Sequence, residues 1–208
     1  MPVVGDTPMN FNLVRQIVLS GDIARMYRSP DCLRKYRQFK ASLKERDIDM
    51  TTNILVTQLK WMSPTVDLKT PASKLIGSIK YSDARPFANE KDMMIMPNAF
   101  PYNLEEGIVH LCVWVKFPLP PDPNSEVGDI SDTNKQLIQI YIEQTFAKGL
   151  GLSKDKVIWF KNWAALQSVK SIPHIHVVID HPDPAKIEAL IGTGGVPIRY
   201  GEESQPKL

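Results

Sequence analysis

The sequence predicts a single α+β domain, a mixed β-sheet with N-terminal helices and further helices packed against it, and three observations carry that expectation. Helical spacing and capping residues fill the first 48 positions. Strict apolar alternation appears near 108–117 and again near 172–180. Helical patterns at 129–149 and 182–191 separate or follow these strands, and the order strand, helix, strand, strand, helix suits one sheet with helices laid on it. The whole chain, 1–208, reads as one domain, with a helical part at 1–48 and a sheet-containing part at 49–208.

Each element has a local reason. Asn10 can cap a helix whose apolar positions Leu13, Ile17 and Val18 share a face. Ser29-Pro30-Asp31 starts a second helix, because the Ser29 hydroxyl accepts from free N–H groups and Pro30 in the first turn forfeits no needed donor. That helix runs to about Lys44 with Leu33, Tyr36 and Phe39 inward, and Arg34, Lys35, Arg37, Lys40, Lys44 and Arg46 mark a solvated or phosphate-meeting face. From Met50 to Asn98 four prolines interrupt the chain. Ile54-Leu55-Val56 reads as a helical turn or a strand, and short strands are expected near Leu75–Tyr81 and Met93–Met96. The later elements are a strand over Ile108–Phe117, a helix over Asp129–Gly149, strands at Val157–Phe160 and Ile172–Asp180, and a last helix stopped by Gly192. The long helix is capped by Ser131 or Asp132, striped by Leu137, Ile138, Tyr141, Ile142 and Phe146, and expected to end at Gly149.

Composition narrows the function classes. A formal charge of +2 with 43% hydrophobic and 23% charged residues describes an ordinary globular chain, without the concentrated basic face of a dedicated nucleic-acid binder. Cys32 and Cys112 are too few for a stapled secreted scaffold, so free thiols in a reducing, cytoplasmic compartment are expected. Met1 to Asn10 shows no basic-then-apolar leader pattern, and no apolar run approaches the roughly 20 residues of a membrane span, so no membrane partner is expected.

Period two divides each clear strand into two faces. In 108–117 the odd positions are apolar throughout, while the even ones are Ile108, His110, Cys112, Trp114 and Lys116. In 172–180 the odd positions Ile175, Val177 and Ile179 are apolar, while the even ones include His174 and His176. If both strands lie in one sheet, three of the four histidines can meet. The alternative is a wet sheet face with solvated His and Lys. The aromatics Trp114, Trp159 and Trp163 tilt the reading toward a pocket. Trp159-Phe160-Lys161-Asn162-Trp163, with Ser168 and then His174 and His176, is the densest polar and aromatic stretch. Imidazoles there can move a proton near neutral pH, and Ser168 is a candidate nucleophile if a histidine reaches it. His-x-His with His110 also has the form of a metal ligand set, but no acidic residue is placed to complete it, so neither metal nor cofactor is expected. Gln167-Ser168-Val169 followed by His174-Ile175-His176 is similar to the histidine-triad nucleotide hydrolases and transferases, although Val178 stands where their third histidine would be.

A wider resemblance is carried by Pro101-Tyr102, by His110-Leu111 through Trp114-Val115-Lys116, and by Trp159 through Trp163 to Ser168-Val169 and His174-Ile175-His176-Val177. In order and spacing these blocks resemble the fungal N-acetylglucosamine-induced protein 1 family over essentially the whole chain. A block that is often of the Asp-Trp-Pro-Tyr-Gly type in that family reads Asn98-Ala99-Phe100-Pro101-Tyr102-Asn103 here. The resemblance implies relationship to arginine-containing cyclodipeptide synthases, which join two aminoacyl groups from charged transfer RNAs into a diketopiperazine in fungal secondary metabolism. Partners would then be Arg-tRNA and a second charged tRNA. His110, His174, His176, Lys116 and Ser168 would carry the chemistry. Trp114, Tyr102, Trp159, Lys161, Asn162 and Trp163 would bind substrate, and Asp92 or Glu105 would grip the arginine guanidinium. The Asp-Asp-x-x-Glu motif linked with those enzymes has no counterpart, since no two aspartates are adjacent. A non-enzymatic ligand-binding or regulatory protein of the N-acetylglucosamine response is the alternative the family name implies.

Overall fold

A computed structural model describes residues 4–163 and 166–201 of the chain; the extreme ends of the 1–208 range lie outside the described residues. Helix α1, Phe11–Leu19, begins where Asn10 Oδ1 accepts from the Leu13 N–H at 2.8 Å. Helix α2, Pro30–Glu45, begins where Ser29 Oγ accepts from the Cys32 N–H. Helix α3, Met50–Asn53, is capped by Asp49 and runs on as a π-helical turn over Ile54–Gln58, which settles the Ile54-Leu55-Val56 ambiguity as helix. Strand β1 is Met93–Pro97 and β2 is Ile108–Val115. Helix α4, Asp132–Ile142, starts from Ser131, and α5 is Pro184–Leu190. Strands β3, Val157–Phe160, and β4, His174–Asp180, complete the sheet.

The sheet order is β1-β2-β4-β3 and every neighbouring pair is antiparallel, so the α+β class stands and the expected mixed sheet is corrected. The reason is topological. β2 and β3 point the same way and are joined through α4, as in a parallel crossover, but β4 threads between them. Each of its neighbours therefore meets it antiparallel, and no parallel ladder forms.

Three further expectations change. Leu75–Tyr81 is not a strand: residues Ala72–Lys74 and Ile76–Ser78 form 3-10 turns. Pro71 and Gly77 break the extended run there. β2 stops at Val115, where the Lys116 N–H turns to donate to the Asp92 carbonyl and Pro118 follows. α4 does not end at Gly149, which keeps helical angles (φ −61°). It continues through a π-helical turn, Glu143–Lys148, to Leu150, and Gly151 at φ +72° takes the left-handed position that ends it.

The sheet is buried on both faces. On one, Leu111, Val113 and Val115 of β2 and Ile175, Val177 and Ile179 of β4 pack against Ile138, Tyr141 and Phe146 of the α4 segment and Ile187 of α5. On the other, Val178 and Phe160 pack on Phe11, Val14 and Ile17 of α1, while Cys112 and Trp114 pack on Ile54, Leu55 and Leu59. The histidine-bearing face is therefore roofed by the N-terminal helices rather than wet. Among the described residues, no helix is long and apolar enough to cross a membrane.

The two glycines after α4 make opposite predictions. Gly149→Ala should stabilise by about 0.4–1 kcal/mol, since its angles suit any residue, whereas Gly151→Ala should destabilise by about 1 kcal/mol or more. Urea denaturation of both variants checks this; equal effects would contradict the assigned helix end.

Candidate functional site

The register of β2 against β4 assembles the site. Cys112 stands opposite His176 and Trp114 opposite His174, while His110, opposite Val178, lies diagonal to His176. Phe160 of β3 stands on the far side of His176. All these even-phase side chains point under the helical roof. His110 Nε2 lies 3.0 Å from His176 Nδ1, and Cys112 Sγ lies 3.6 Å from the same nitrogen. The His176 ring stacks on Phe160 with centroids 4.9 Å apart, and the His110 ring stacks on Tyr102 at 5.3 Å. His174 stacks on Trp114 at 4.3 Å, and its Nδ1 lies 3.0 Å from the Ile172 carbonyl. A carbonyl only accepts, so Nδ1 carries the proton and Nε2 of His174 is left as a base and acceptor.

Two amides frame the cluster. Asn98 follows β1, donates its backbone N–H to the His110 carbonyl, and accepts from the Phe100 N–H through Oδ1, so its Nδ2 faces His110 Nε2 at 3.2 Å. Asn162 Nδ2 lies 3.2 Å from His176 Nε2, and the buried Asn162 Oδ1 has no partner among the described residues.

Burial sets the electrostatics. It pushes the His110 pKa down to about 3 and holds His176 well below the ordinary imidazole range. It also lowers His174, against the pull of the Ile172 carbonyl, and pushes the Cys112 thiol up to about 12. At neutral pH all four groups are uncharged. The nearby cation is Arg28, whose Nε donates to the Phe100 carbonyl at 2.9 Å and whose guanidinium lies over the Tyr36 and Tyr102 rings.

A cavity of about 180 Å³ opens beside this cluster, bounded below by Cys112, Trp114, His174 and His176 and above by Tyr36 and Phe39 of α2. It is far larger than the roughly 10–15 Å³ that one water needs. Tyr102, Asn162 and Ser168 also reach it. Ser168 is exposed at its edge, and among the described residues no imidazole nitrogen makes a hydrogen bond to its hydroxyl, so the serine–histidine pair is not assembled.

Other expected site residues lie elsewhere. Lys116 falls beyond the end of β2 and its ammonium sits over the Trp61 ring, outside the cavity. Trp159 has the opposite phase to Phe160, so it turns to the α4 face, where its Nε1–H donates to Gln139 Oε1 at 2.7 Å. Lys161 and Trp163 line a separate surface hollow beside Ser20 and Gly21, and Trp163 packs with the α1 cluster. Asp92 is buried as a loop anchor: its carboxylate accepts from the Ser82 and Asp83 N–H groups. Glu105 is exposed in the turn before β2. Period two points to Cys112, but Arg28, Gln58 and Phe100, which also line the cavity, sit in segments without a pattern that announces a site.

Comparison with known proteins places the chain. A family model described as protein of unknown function (DUF3605) matches residues 10–180. The chain belongs to this family. Residues 10–180 of DUF3605 here span every strand and both flanks of the cavity. N-acetylglucosamine-induced protein 1 of Candida albicans is 37% identical over 191 residues, covering 90% of this chain and 74% of that protein. An uncharacterised Saccharomyces cerevisiae protein is 30% identical over 170 residues, covering 81% of this chain and 77% of its own length. The crystal structure of HTC1 matches with a TM-score of 0.67 over 91% of this chain and 99% of that one, at 24% identity, which shows a shared fold.

Stability should depend on pH with a definite sign. The three folded-state imidazoles titrate below the ordinary unfolded value of about 6.5, so below that pH the unfolded chain binds protons that the folded chain refuses. Stability is therefore full above about pH 6.5 and falls as the pH drops, by up to about 1.4 kcal/mol per unit for each imidazole. Urea midpoints at pH 7.5 and pH 5 measure it, and equal midpoints would refute the buried neutral state.

Proposed function

We propose that the cavity binds a small polar ligand that is neutral or anionic, with N-acetylated amino sugars and their phosphorylated forms as the first candidates, in a ligand-binding or regulatory protein. One observation carries this reading: among the described lining residues, Arg28 is the charged group and there is no carboxylate. An arginine or other cationic ligand would leave a desolvated charge without a counter-ion, which is costly. A sugar suits the walls better, because Trp114, Tyr102 and Phe100 offer flat apolar faces while Asn162, Gln58 and His174 offer hydrogen bonds. The name of the Candida albicans relative, a protein induced by N-acetylglucosamine, points toward the same ligand class.

A second reading, synthesis of an arginine-containing cyclic dipeptide from aminoacyl-tRNA, is favoured by one different observation. The cavity wall holds a neutral imidazole with a free nitrogen, His174, beneath a helix whose Tyr36 and Phe39 face inward and whose many Lys and Arg residues lie on its exposed side. His174 Nε2 would take the proton from the amine of one aminoacyl ester as that amine attacks the carbonyl of the other, and would pass it to the ester oxygen as the C–O bond breaks and the first tRNA leaves with its terminal hydroxyl. A second aminolysis within the dipeptidyl ester closes the ring and releases the other tRNA in the same way. The basic side of α2 would meet transfer-RNA phosphates. Its weak point is the guanidinium, since Asp92 and Glu105 both lie away from the cavity.

Thermal-shift titrations with N-acetylglucosamine, its 6-phosphate, its nucleoside-diphosphate derivative and free arginine separate the two readings. The sugar phosphates should raise Tm saturably, arginine should not, and Arg28→Gln should weaken phosphate-bearing ligands about tenfold or more. Cyclic dipeptide detected by mass spectrometry with charged tRNA, without any sugar-dependent shift, would replace the first reading by the second.

A further inference from the structure

The structure assigns a transition-metal site to His110, Cys112 and His176, on the floor of the cavity, with zinc(II) as the ion that fits best. The ligand atoms of the three residues lie within 4.8 Å of one another, and all three residues are buried. Their spacing has the right scale. A tetrahedral zinc with bonds of about 2.0–2.1 Å to nitrogen and about 2.3 Å to sulfur needs a nitrogen–nitrogen edge of about 3.3 Å and a nitrogen–sulfur edge of about 3.5 Å. The structure has 3.0 Å between His110 Nε2 and His176 Nδ1, and 3.6 Å between Cys112 Sγ and His176 Nδ1. The remaining edge, His110 to Cys112, lies within 4.8 Å, so an ion is centred by rotation of the side chains about it.

The surrounding amides bear on the same atoms. Asn98 is held by the Phe100 N–H at its oxygen, so its Nδ2 lies 3.2 Å from His110 Nε2, while the Tyr102 N–H lies 3.5 Å from His110 Nδ1. His110 Nε2 and His176 Nδ1, 3.0 Å apart, need something positive between them: a proton shared in a hydrogen bond, or a metal ion whose binding turns the Asn98 N–H aside and puts the ring proton on Nδ1. On the other ring, Asn162 Oδ1 is a buried acceptor that meets no donor among the described residues, while its Nδ2 lies 3.2 Å from His176 Nε2. Turning that amide over places the oxygen against Nε2, which then carries the proton and leaves Nδ1 for the metal. An outer-shell amide that sets the ring tautomer is the usual support of a histidine ligand. Binding zinc(II) releases the Cys112 thiol proton to solvent, and the thiolate then neutralises half the ion's charge.

Three protein ligands leave the fourth position open, as in catalytic rather than structural zinc sites. Cys112 and His176 border the cavity while His110 lies behind them, so the open position faces the space where a ligand enters. This site differs from a His-x-His pair: His174 is not among the residues whose ligand atoms lie within 4.8 Å of one another, and its ring is stacked on Trp114. Mixed nitrogen and sulfur donors select zinc over magnesium or calcium. The assignment stands whichever ligand the cavity takes.

The test uses the whole chain, purified without a histidine tag, stripped with chelator and reloaded. Elemental analysis after reloading with zinc should find about one equivalent. Loading with cobalt(II) should give visible d–d bands and a thiolate-to-cobalt charge-transfer band. Cys112→Ser should abolish the charge-transfer band, and His110→Gln should weaken metal binding tenfold or more, while Cys32→Ser should change neither. Asn162→Leu, outside the ligand set, should weaken binding about 10–100-fold and serves if the ligand variants fold poorly by near-ultraviolet circular dichroism. Less than about a tenth of an equivalent in folded, reloaded protein would overturn the assignment. So would a charge-transfer band that survives Cys112→Ser, or one that is lost in Cys32→Ser.

Discussion

The antiparallel pairing of β2 with β4 is the constraint on which everything else rests. Cys112 opposite His176 and Trp114 opposite His174 set the phase of both central strands at once. A slip of one residue would turn His110, Cys112, Trp114, His174 and His176 toward the apolar layer in place of the odd-phase aliphatic side chains. The register is held from both sides. Leu111, Val113, Ile175 and Val177, each almost wholly buried, have no other place to go than the α4 face. That apolar half of the sheet is what allows the other half to carry polar groups in the interior.

Those polar groups are uncharged because charge would not survive there. Among the described residues lining the cavity no carboxylate stands beside the imidazoles, so each ring stays neutral and seeks aromatic and amide neighbours instead. The stacking partners are drawn from separate parts of the chain: Tyr102 from the loop before β2, Phe160 from β3 and Trp114 from β2 itself. The loop that supplies Tyr102 is tied to the same ring, through Asn98 to His110 and through Arg28 to the Phe100 carbonyl. Site geometry and loop geometry are thus one network, and the N-terminal helices are anchored to it from above.

Strand phase and helix caps were readable from the residues because they are local properties. Alternation over 108–117 and 172–180, Asn10, Ser29 and Ser131 as caps, and Val157–Phe160 as a strand each depend on a few neighbouring side chains. Even the meeting of His110 with His176 follows from phase once the strands are known to pair. The rest depends on what lies across space. That β4 inserts between β2 and β3 is a matter of chain path, and it turns an expected mixed sheet antiparallel. Trp159 and Phe160 are adjacent in sequence and equally aromatic, yet they face opposite layers, so density of aromatics in a stretch does not place them in one site. Asp92 has the composition of a ligand-binding carboxylate and the position of a loop anchor, which is decided by the Ser82 and Asp83 N–H groups it accepts. Arg28 is one of many basic residues near α2. It differs from the others only because its guanidinium is laid across Tyr36 and Tyr102 at the cavity edge.

This last contrast bears on the chemistry. Arg28 is a cation at the edge of the imidazole cluster, and its field opposes protonation of His110 and His176 and favours negative charge on Cys112. The field and the burial therefore act together on the histidines, keeping their lone pairs free, and act against each other on the thiol. Neutral imidazoles beneath a positive rim suit a ligand that brings hydroxyl or amide donors to the floor and a negative charge to Arg28. A guanidinium or an ammonium would meet the Arg28 charge with no carboxylate among the described lining residues to offset it. The preference comes from two features separated in the chain, the phase of β2 and β4 and the docking of Arg28, and it holds for a bound small molecule and a reacting one alike.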